Sequence, residues 1–157
     1  MLYSINSIMP ICAALHAEGK TIVLATGFFD LLHAEHIQFL QKAKAAGDIL
    51  VVAVESDERA RKLKGERRPV QTQELRCQKI AQYADFVISL ADDFDHFEAY
   101  ESLMESVRPN FYAVSSHTDF QSNKGFLTEK YGGKLVVVHE FNASISTTQI
   151  LKSQNQV

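Results

Sequence analysis

Apolar positions along this chain fall into two alternating rhythms. Short, nearly unbroken runs rich in Val and Ile occur at Thr21–Ala25, Ile49–Val54, Phe86–Leu90, Phe111–Val114 and Lys134–Val138. Such runs are the pattern of strands covered on both faces. Between them the period lengthens to that of a helix. Ala34–Ala46 carries this period, and His36, Leu40, Ala43 and Gly47 recur at spacings of four, three and four. Leu75, Ile80 and Ala84 follow Thr72; Phe97, Tyr100, Met104 and Val107 precede Pro109; a weaker pattern spans Thr118–Glu129. An opening amphipathic helix is predicted from roughly Ser7 to Ala17, with Pro10 in its first turn and Gly19 closing it. Strict alternation of strand and helix predicts an α/β fold: a five-stranded parallel sheet with right-handed crossovers and helices on both faces.

Composition narrows what such a fold could do. At 157 residues and 46% hydrophobic content the chain suits one compact domain with a filled core. It is read as a single unit over 1–157, an N-terminal helix at 1–19 followed by a core at 20–152. A formal net charge of −3 and a pI near 6.1 argue against a general nucleic-acid or anionic-membrane binder. Cys12 and Cys77 have no metal-ligand spacing and are too few for a disulfide framework, so both are expected as reduced thiols in a cytoplasmic protein. No apolar run approaches a membrane span, and no basic leader precedes the first helix.

Chemistry concentrates at the carboxyl end of the first predicted strand. Thr26-Gly27-Phe28-Phe29-Asp30-Leu31-Leu32-His33-Ala34-Glu35-His36 places two histidines three residues apart, on nearly one side of the helix that follows. A helix N-terminus there offers unpaired backbone N–H groups and the positive end of the helix dipole, which suits a polyphosphate. A lone histidine on an apolar face is usually a hydrogen-bonded core residue. Two beside Gly27 and Asp30 have no evident structural need.

Two further segments could meet that turn. After Ser56-Asp57, eleven residues hold Arg59, Arg61, Lys62, Lys64, Arg67 and Arg68, six of the sixteen basic side chains. They read either as a solvated helix or loop face or as a mobile phosphate-binding loop. Arg76 could add another phosphate contact or lie as a solvated surface arginine. Near the C-terminus, Ser146 with Gln149 fits a capping box, whose helix start would let Thr147 and Thr148 donate to phosphates. Neither a GxSxG elbow nor a GxxxxGK[ST] loop occurs.

Taken together these motifs resemble the cytidylyltransferase-like group of nucleotidyltransferases: a GxFD-type strand end, an HxGH pair, a lysine-bearing loop and an ISTT-type segment. The likeness covers roughly residues 20–152 and runs furthest in the heptose-phosphate adenylyltransferase domains, through GFFDLLHAEH, FLQKAKAAGD, SDERARKLKGERRPV and STTQI. Glycerol-3-phosphate and ethanolamine-phosphate cytidylyltransferases share the histidine and ISTT motifs and match the Lys62–Val70 loop less well.

The resemblance implies a Rossmann-like HxGH fold. It also implies transfer of a nucleotidyl group from ATP or CTP to a phosphorylated small molecule such as a sugar phosphate, with release of pyrophosphate. It assigns His33 and His36 to the α-phosphate and Lys64 to the β- and γ-phosphates. Thr26, Gly27, Phe28, Phe29, Asp30, Arg76, Ser146, Thr147 and Thr148 would form the nucleotide site. Gly27 would admit close backbone approach, and Asp30 would orient a turn rather than act as a base. Mg²⁺ would arrive on the triphosphate, with no dedicated protein metal site, and a homodimer is implied by the relatives.

The family's glycine between the histidines is Glu35 here, which would swing to solvent or pair with the basic loop. A KGGDY-like stretch is replaced by Val114-Ser115-Ser116-His117-Thr118-Asp119-Phe120, and the arginine that precedes ISTT in glycerol-phosphate enzymes is missing. Glu35, Arg68, His117 and Asp119 are the candidates for an altered acceptor pocket. A second reading is a nucleotide-binding or interaction protein that retains the fold without the reaction.

Overall fold

The computed structural model describes residues 2–118, 120–140 and 151; the predicted Ser146 helix start with Thr147 and Thr148 lies outside the described residues, as does Asp119. The chain runs β1 (Leu2–Tyr3), α1 (Ile5–Ala17), β2 (Ile22–Gly27), α2 (Ala34–Ala45), β3 (Ile49–Val54), α3 (Asp57–Lys64), α4 (Gln73–Ile80), β4 (Phe86–Ser89), α5 (Phe97–Val107), β5 (Phe111–Ser115), α6 (Gln121–Lys130) and β6 (Lys134–His139). All strand pairs are parallel, in the order β1-β4-β3-β2-β5-β6.

The sheet therefore has six strands rather than the expected five. The added strand, Leu2–Tyr3, pairs with Val87 and Ile88 at the edge and is too short to show any period. The first helix also starts earlier than its apolar pattern suggests, because Ser4 caps it. Ser4 Oγ accepts from Ser7 N–H at 3.1 Å, and Ser7 Oγ accepts from Ser4 N–H at 2.8 Å. With the helix beginning at Ile5, Pro10 lies inside it and beyond its first turn.

The continuous apolar runs are explained by burial on both sheet faces. Ile22, Leu24, Val51, Ala53 and Ile88 pack on one face with Ile8 and Cys12 of α1, Leu103, Met104 and Val107 of α5 and Leu127 of α6. Their neighbours Val23, Ala25, Leu50, Val52, Val54 and Val87 face Phe39, Leu40 and Ala43 of α2 and Cys77 and Ile80 of α4. Cys12 and Cys77 are buried in opposite layers and unpaired. No helix among the described residues is long and apolar enough to cross a membrane.

The strand order reverses at β2, which has β3 on one side and β5 on the other. Such a reversal opens a crevice at the strand carboxyl ends, because the connections leave in opposite directions. The two-histidine turn follows β2 directly into that crevice.

Candidate functional site

The turn is built around two residues that seldom adopt its geometry. Phe29 and Leu31 have φ of 53° and 52°, in the left-handed region that costs a non-glycine residue free energy. Three contacts hold it. The Phe29 ring is buried and meets His36 edge-on at 5.7 Å between centroids. Gly27 makes room for that ring, since a Cβ there would lie 3.1 Å from Phe29 Cε2 and Cζ. Asp30 is buried and accepts from Arg68 Nε at 3.1 Å, Val70 N–H at 2.8 Å and Gln71 N–H at 3.0 Å. Its carboxylate thus fastens the connection between α3 and α4 onto the histidine turn, an orienting role.

The histidines are arranged as a pair of donors. Their rings stack at 3.8 Å with 20° between planes. His33 caps α2: its Nδ1 accepts from Glu35 N–H at 3.2 Å, while His36 Nδ1 accepts from His33 N–H at 3.4 Å. With both Nδ1 atoms accepting, each uncharged ring carries its proton on Nε2, and neither Nε2 has a partner among the described residues. Burial pushes the pKa of His36 down to about 3, helped by the adjacent His33 and by Lys64. His33 is also lowered, first by burial, with Glu35 opposing. Both are uncharged near neutral pH in the free protein.

Lys64 ends α3 and returns to the same crevice. Its Nζ lies 4.8 Å from the centroid of the Phe28 ring. Burial lowers its pKa, with Arg68 adding to the effect and Asp30 and Glu55 opposing it. Lys64, His36, Thr26, Gly27, Phe28 and Phe29 line a cavity of about 190 Å³, together with Asp30 and Glu35. The basic run is thus neither wholly solvated nor a loop throughout: Asp57–Lys64 is helical, and Lys64 alone of the run lines this cavity.

A second cavity of about 390 Å³ adjoins the first. Thr26, Gly27, Phe28, Lys64, Ser115 and Thr118 line both, so one wall separates and connects them. The far side of the second carries Glu55, Arg59, Tyr100, His117 and Lys124. Tyr112 reaches the shared wall from beneath, its hydroxyl 2.5 Å from Thr26 Oγ1.

Three sequence expectations are corrected here. Arg76 is fully buried and cannot reach a phosphate. Its guanidinium donates to Phe28 O at 2.6 Å, Glu55 O at 2.9 Å, Gln71 O at 3.0 Å and Asp57 Oδ1 at 2.7 Å, joining the ends of β2 and β3 to α4. Arg68 is likewise buried, bonded to Asp30, and lines neither cavity. Glu35 turns neither to solvent nor to the basic loop: it is 7% exposed, and its Oε2 accepts from His139 Nε2 at 2.5 Å. His139 Nδ1 accepts in turn from Lys42 Nζ at 3.0 Å. The carboxylate reaches the end of β6 because that strand lies alongside α2, a proximity no local pattern reveals.

The Arg76 arrangement carries its own expected result. Arg76→Met keeps the aliphatic stem and leaves the carbonyls of Phe28, Glu55 and Gln71 and the Asp57 carboxylate without their donor, so urea unfolding should show a loss of about 3 kcal/mol or more. A change under 1 kcal/mol would mean water replaces the guanidinium without penalty.

Several residues of the site were not singled out by the sequence pattern. Tyr100, Tyr112, Lys124 and His139 come from α5, β5, α6 and β6, far along the chain from the histidine turn, and carry no motif. Glu55 did offer a signal, an acid placed directly after the all-apolar run Ile49–Val54 at a strand end.

A parallel sheet reversing at β2, with stacked histidines and a lysine at its carboxyl edge, defines a Rossmann-like nucleotidyltransferase fold. The chain belongs to the cytidylyltransferase-like family, whose family model matches residues 24–153. It is 37% identical over 145 residues to the bifunctional protein HldE of Geobacter sulfurreducens, covering 90% of this chain and 28% of that protein. With the bifunctional protein HldE of Wolinella succinogenes it shares 40% identity over 111 residues, 69% of this chain and 22% of that protein. The chain thus spans under a third of the length of these curated relatives. Among solved structures, the lipopolysaccharide core biosynthesis protein of Thermoplasma volcanium superposes with a TM-score of 0.65 at 27% identity, over 79% of this chain and 100% of that one. Pantoate-beta-alanine ligase of Francisella tularensis, at 13% identity and a TM-score of 0.62, covers 99% of this chain and 77% of its own and shares the fold alone.

Proposed function

We propose that this protein transfers a nucleotidyl group from ATP, or from CTP, to a phosphorylated small molecule such as a sugar phosphate, releasing pyrophosphate. The observation that carries this reading is the pair of adjoining cavities with Lys64 in their common wall and His36 on one side. One cavity would take the triphosphate and the other the acceptor. The reaction needs no covalent enzyme intermediate. A phosphate oxygen of the acceptor attacks the α-phosphorus, the bond from that phosphorus to the bridging oxygen breaks, and pyrophosphate departs with the electron pair.

Catalysis of this kind is positioning plus neutralisation of charge as it spreads onto the phosphoryl oxygens. The Nε2–H groups of His33 and His36 would donate to the α-phosphate and the bridging oxygen. Lys64 would bear on the β- and γ-phosphates, and the hydroxyls of Ser146, Thr147 and Thr148 would hold the phosphate tail. Mg²⁺ would enter on the triphosphate oxygens; no cluster of His, Cys, Asp or Glu among the described residues is arranged to hold a metal. ATP is the first nucleotide to test, because the Lys62–Val70 loop resembles that of the heptose-phosphate adenylyltransferases.

The deciding measurement is pyrophosphate release by the purified protein with Mg²⁺, ATP or CTP, and a panel of sugar and alcohol phosphates. Release with at least one acceptor is expected. If nucleotide raises the melting temperature yet every acceptor fails, the protein is a nucleotide-binding member of the fold without the reaction.

A further inference from the structure

The second cavity holds a mixed set of charges that the transfer reaction does not account for. Glu55 stands just past β3, is 8% exposed and lines the cavity. Its Oε1 accepts from Tyr100 Oη at 3.2 Å and lies 3.8 Å from Arg59 Nε. Its Oε2 accepts no hydrogen bond among the described residues. Arg59 Nε is buried and has no hydrogen-bond partner among the described residues. Lys64 and Lys124 line the same cavity, and Tyr100, Leu63 and Phe120 present apolar faces to it.

We propose that Glu55 is the specificity determinant for the acceptor, accepting a hydrogen bond at Oε2 from a hydroxyl of a phosphorylated polyol or sugar whose phosphate lies toward Lys64. The proposal rests on the transfer reading for the acceptor's presence, and its binding arm stands apart from that reading.

The chemistry of the wall selects this class. A carboxylate takes donors only: a hydroxyl or an ammonium group. Arg59, Lys64 and Lys124 already make the local field positive, and the charges of Arg59, Lys124 and Lys64 all act on Glu55. An acceptor ammonium would meet that field, whereas a hydroxyl carries no net charge into it. An acceptor carboxylate would face Glu55 itself. A sugar also presents C–H faces that suit the Tyr100 and Phe120 rings and Leu63, as in sites where apolar walls surround a few fixed polar groups. Burial raises the Glu55 carboxyl above the usual carboxylate range, with Arg59 and Tyr100 pulling the other way, so a donor at Oε2 would replace solvation that the cavity denies it.

The test compares acceptors differing only in hydroxyls. Calorimetry with α,β-methylene ATP and Mg²⁺ present would follow binding of glucose 1-phosphate, glycerol 3-phosphate, butyl phosphate and ethanolamine phosphate. Turnover would be followed by pyrophosphate release with ATP or CTP. Wild-type protein is expected to bind a hydroxylated phosphate at least tenfold more tightly than butyl phosphate. Glu55→Gln should weaken that binding, or raise the acceptor KM, by about 10- to 100-fold, the range for a hydrogen bond to a charged group. The hydroxyl preference should shrink with it, while nucleotide Kd stays within twofold and kcat within a few-fold.

Tyr100→Phe, which removes one bond to Glu55 and keeps the ring, should shift the same ratio in the same direction by a smaller factor; it serves if Glu55→Gln does not fold. Selective polyol-phosphate binding without pyrophosphate release would refute transfer and leave this inference standing. Three results overturn it: no hydroxylated phosphate binding at millimolar concentration, preference for ethanolamine phosphate, or a Glu55→Gln loss confined to kcat with the hydroxyl preference intact.

Discussion

Replacing Glu35 with glycine is expected to destabilise the protein by about 2–4 kcal/mol and to leave nucleotide bound no more tightly than before. The family motif carries glycine at this place, so restoring it would relieve volume and negative charge beside a triphosphate if the carboxylate pointed that way. It points instead at His139, in a buried pair extended by Lys42. Removing Glu35 leaves the buried His139 Nε2–H without its acceptor, while Lys42 keeps His139 Nδ1. Glycine in the first turn of α2 also adds about 1 kcal/mol of backbone entropy cost.

Because domains of this size are stable by only about 5–15 kcal/mol, such a loss is readily measured by urea unfolding. A double-mutant cycle assigns it: with His139→Leu in the background, the cost of Glu35→Gly should fall by more than 1 kcal/mol. Additive losses, or a nucleotide Kd several-fold tighter for Glu35→Gly, would show that the pair is not what holds Glu35.

The larger effect on activity is expected at His36. His36→Ala should lower turnover by about 10²- to 10⁴-fold with a much smaller change in nucleotide Kd, since a donor to developing phosphoryl charge matters most in the transition state. The same residue gives a pH signature without any substrate. Its pKa is pushed from 6.5 to about 3 by burial, with His33 and Lys64 next to it. Between those values the unfolded chain binds the proton and the folded chain does not. Stability is therefore fully present above about pH 6.5 and declines as pH falls toward 3. One such group contributes a slope of at most about 1.4 kcal/mol per pH unit. His36→Gln should flatten that slope by about one proton in urea titrations from pH 4 to 7. An unchanged slope would place the acid sensitivity elsewhere, and a turnover loss under tenfold would remove His36 from the chemistry.

How much of this was legible from residues alone differs by element. The β3 run Ile49–Val54 could be read without error because both faces are covered, so every position is apolar and the run has natural ends. Helix α5 was as clear, its apolar stripe ending where Arg108 turns into the left-handed region before Pro109. The strand Leu2–Tyr3 was not legible, since two residues have no period and gain their order from β4. The histidine turn announced itself through spacing. Arg76 misled, because an arginine one turn into a helix looks the same in sequence whether it meets solvent or turns inward to four protein acceptors.

The sequence by itself determined the alternation of strand and helix, the parallel sheet and the place of the two-histidine turn, because these follow from periodicity and from residue types adjacent along the chain. Only the tertiary structure decided the partners of the charges. Asp30 holding the α3–α4 connection, Glu35 locked on His139, and Glu55 facing Tyr100 and Arg59 join residues 38, 104 and up to 45 positions apart. A contact across such distances leaves no local pattern: a charged side chain seeks whichever partner the packed elements bring within about 3 Å, and that choice is made only when the sheet and its helices close together.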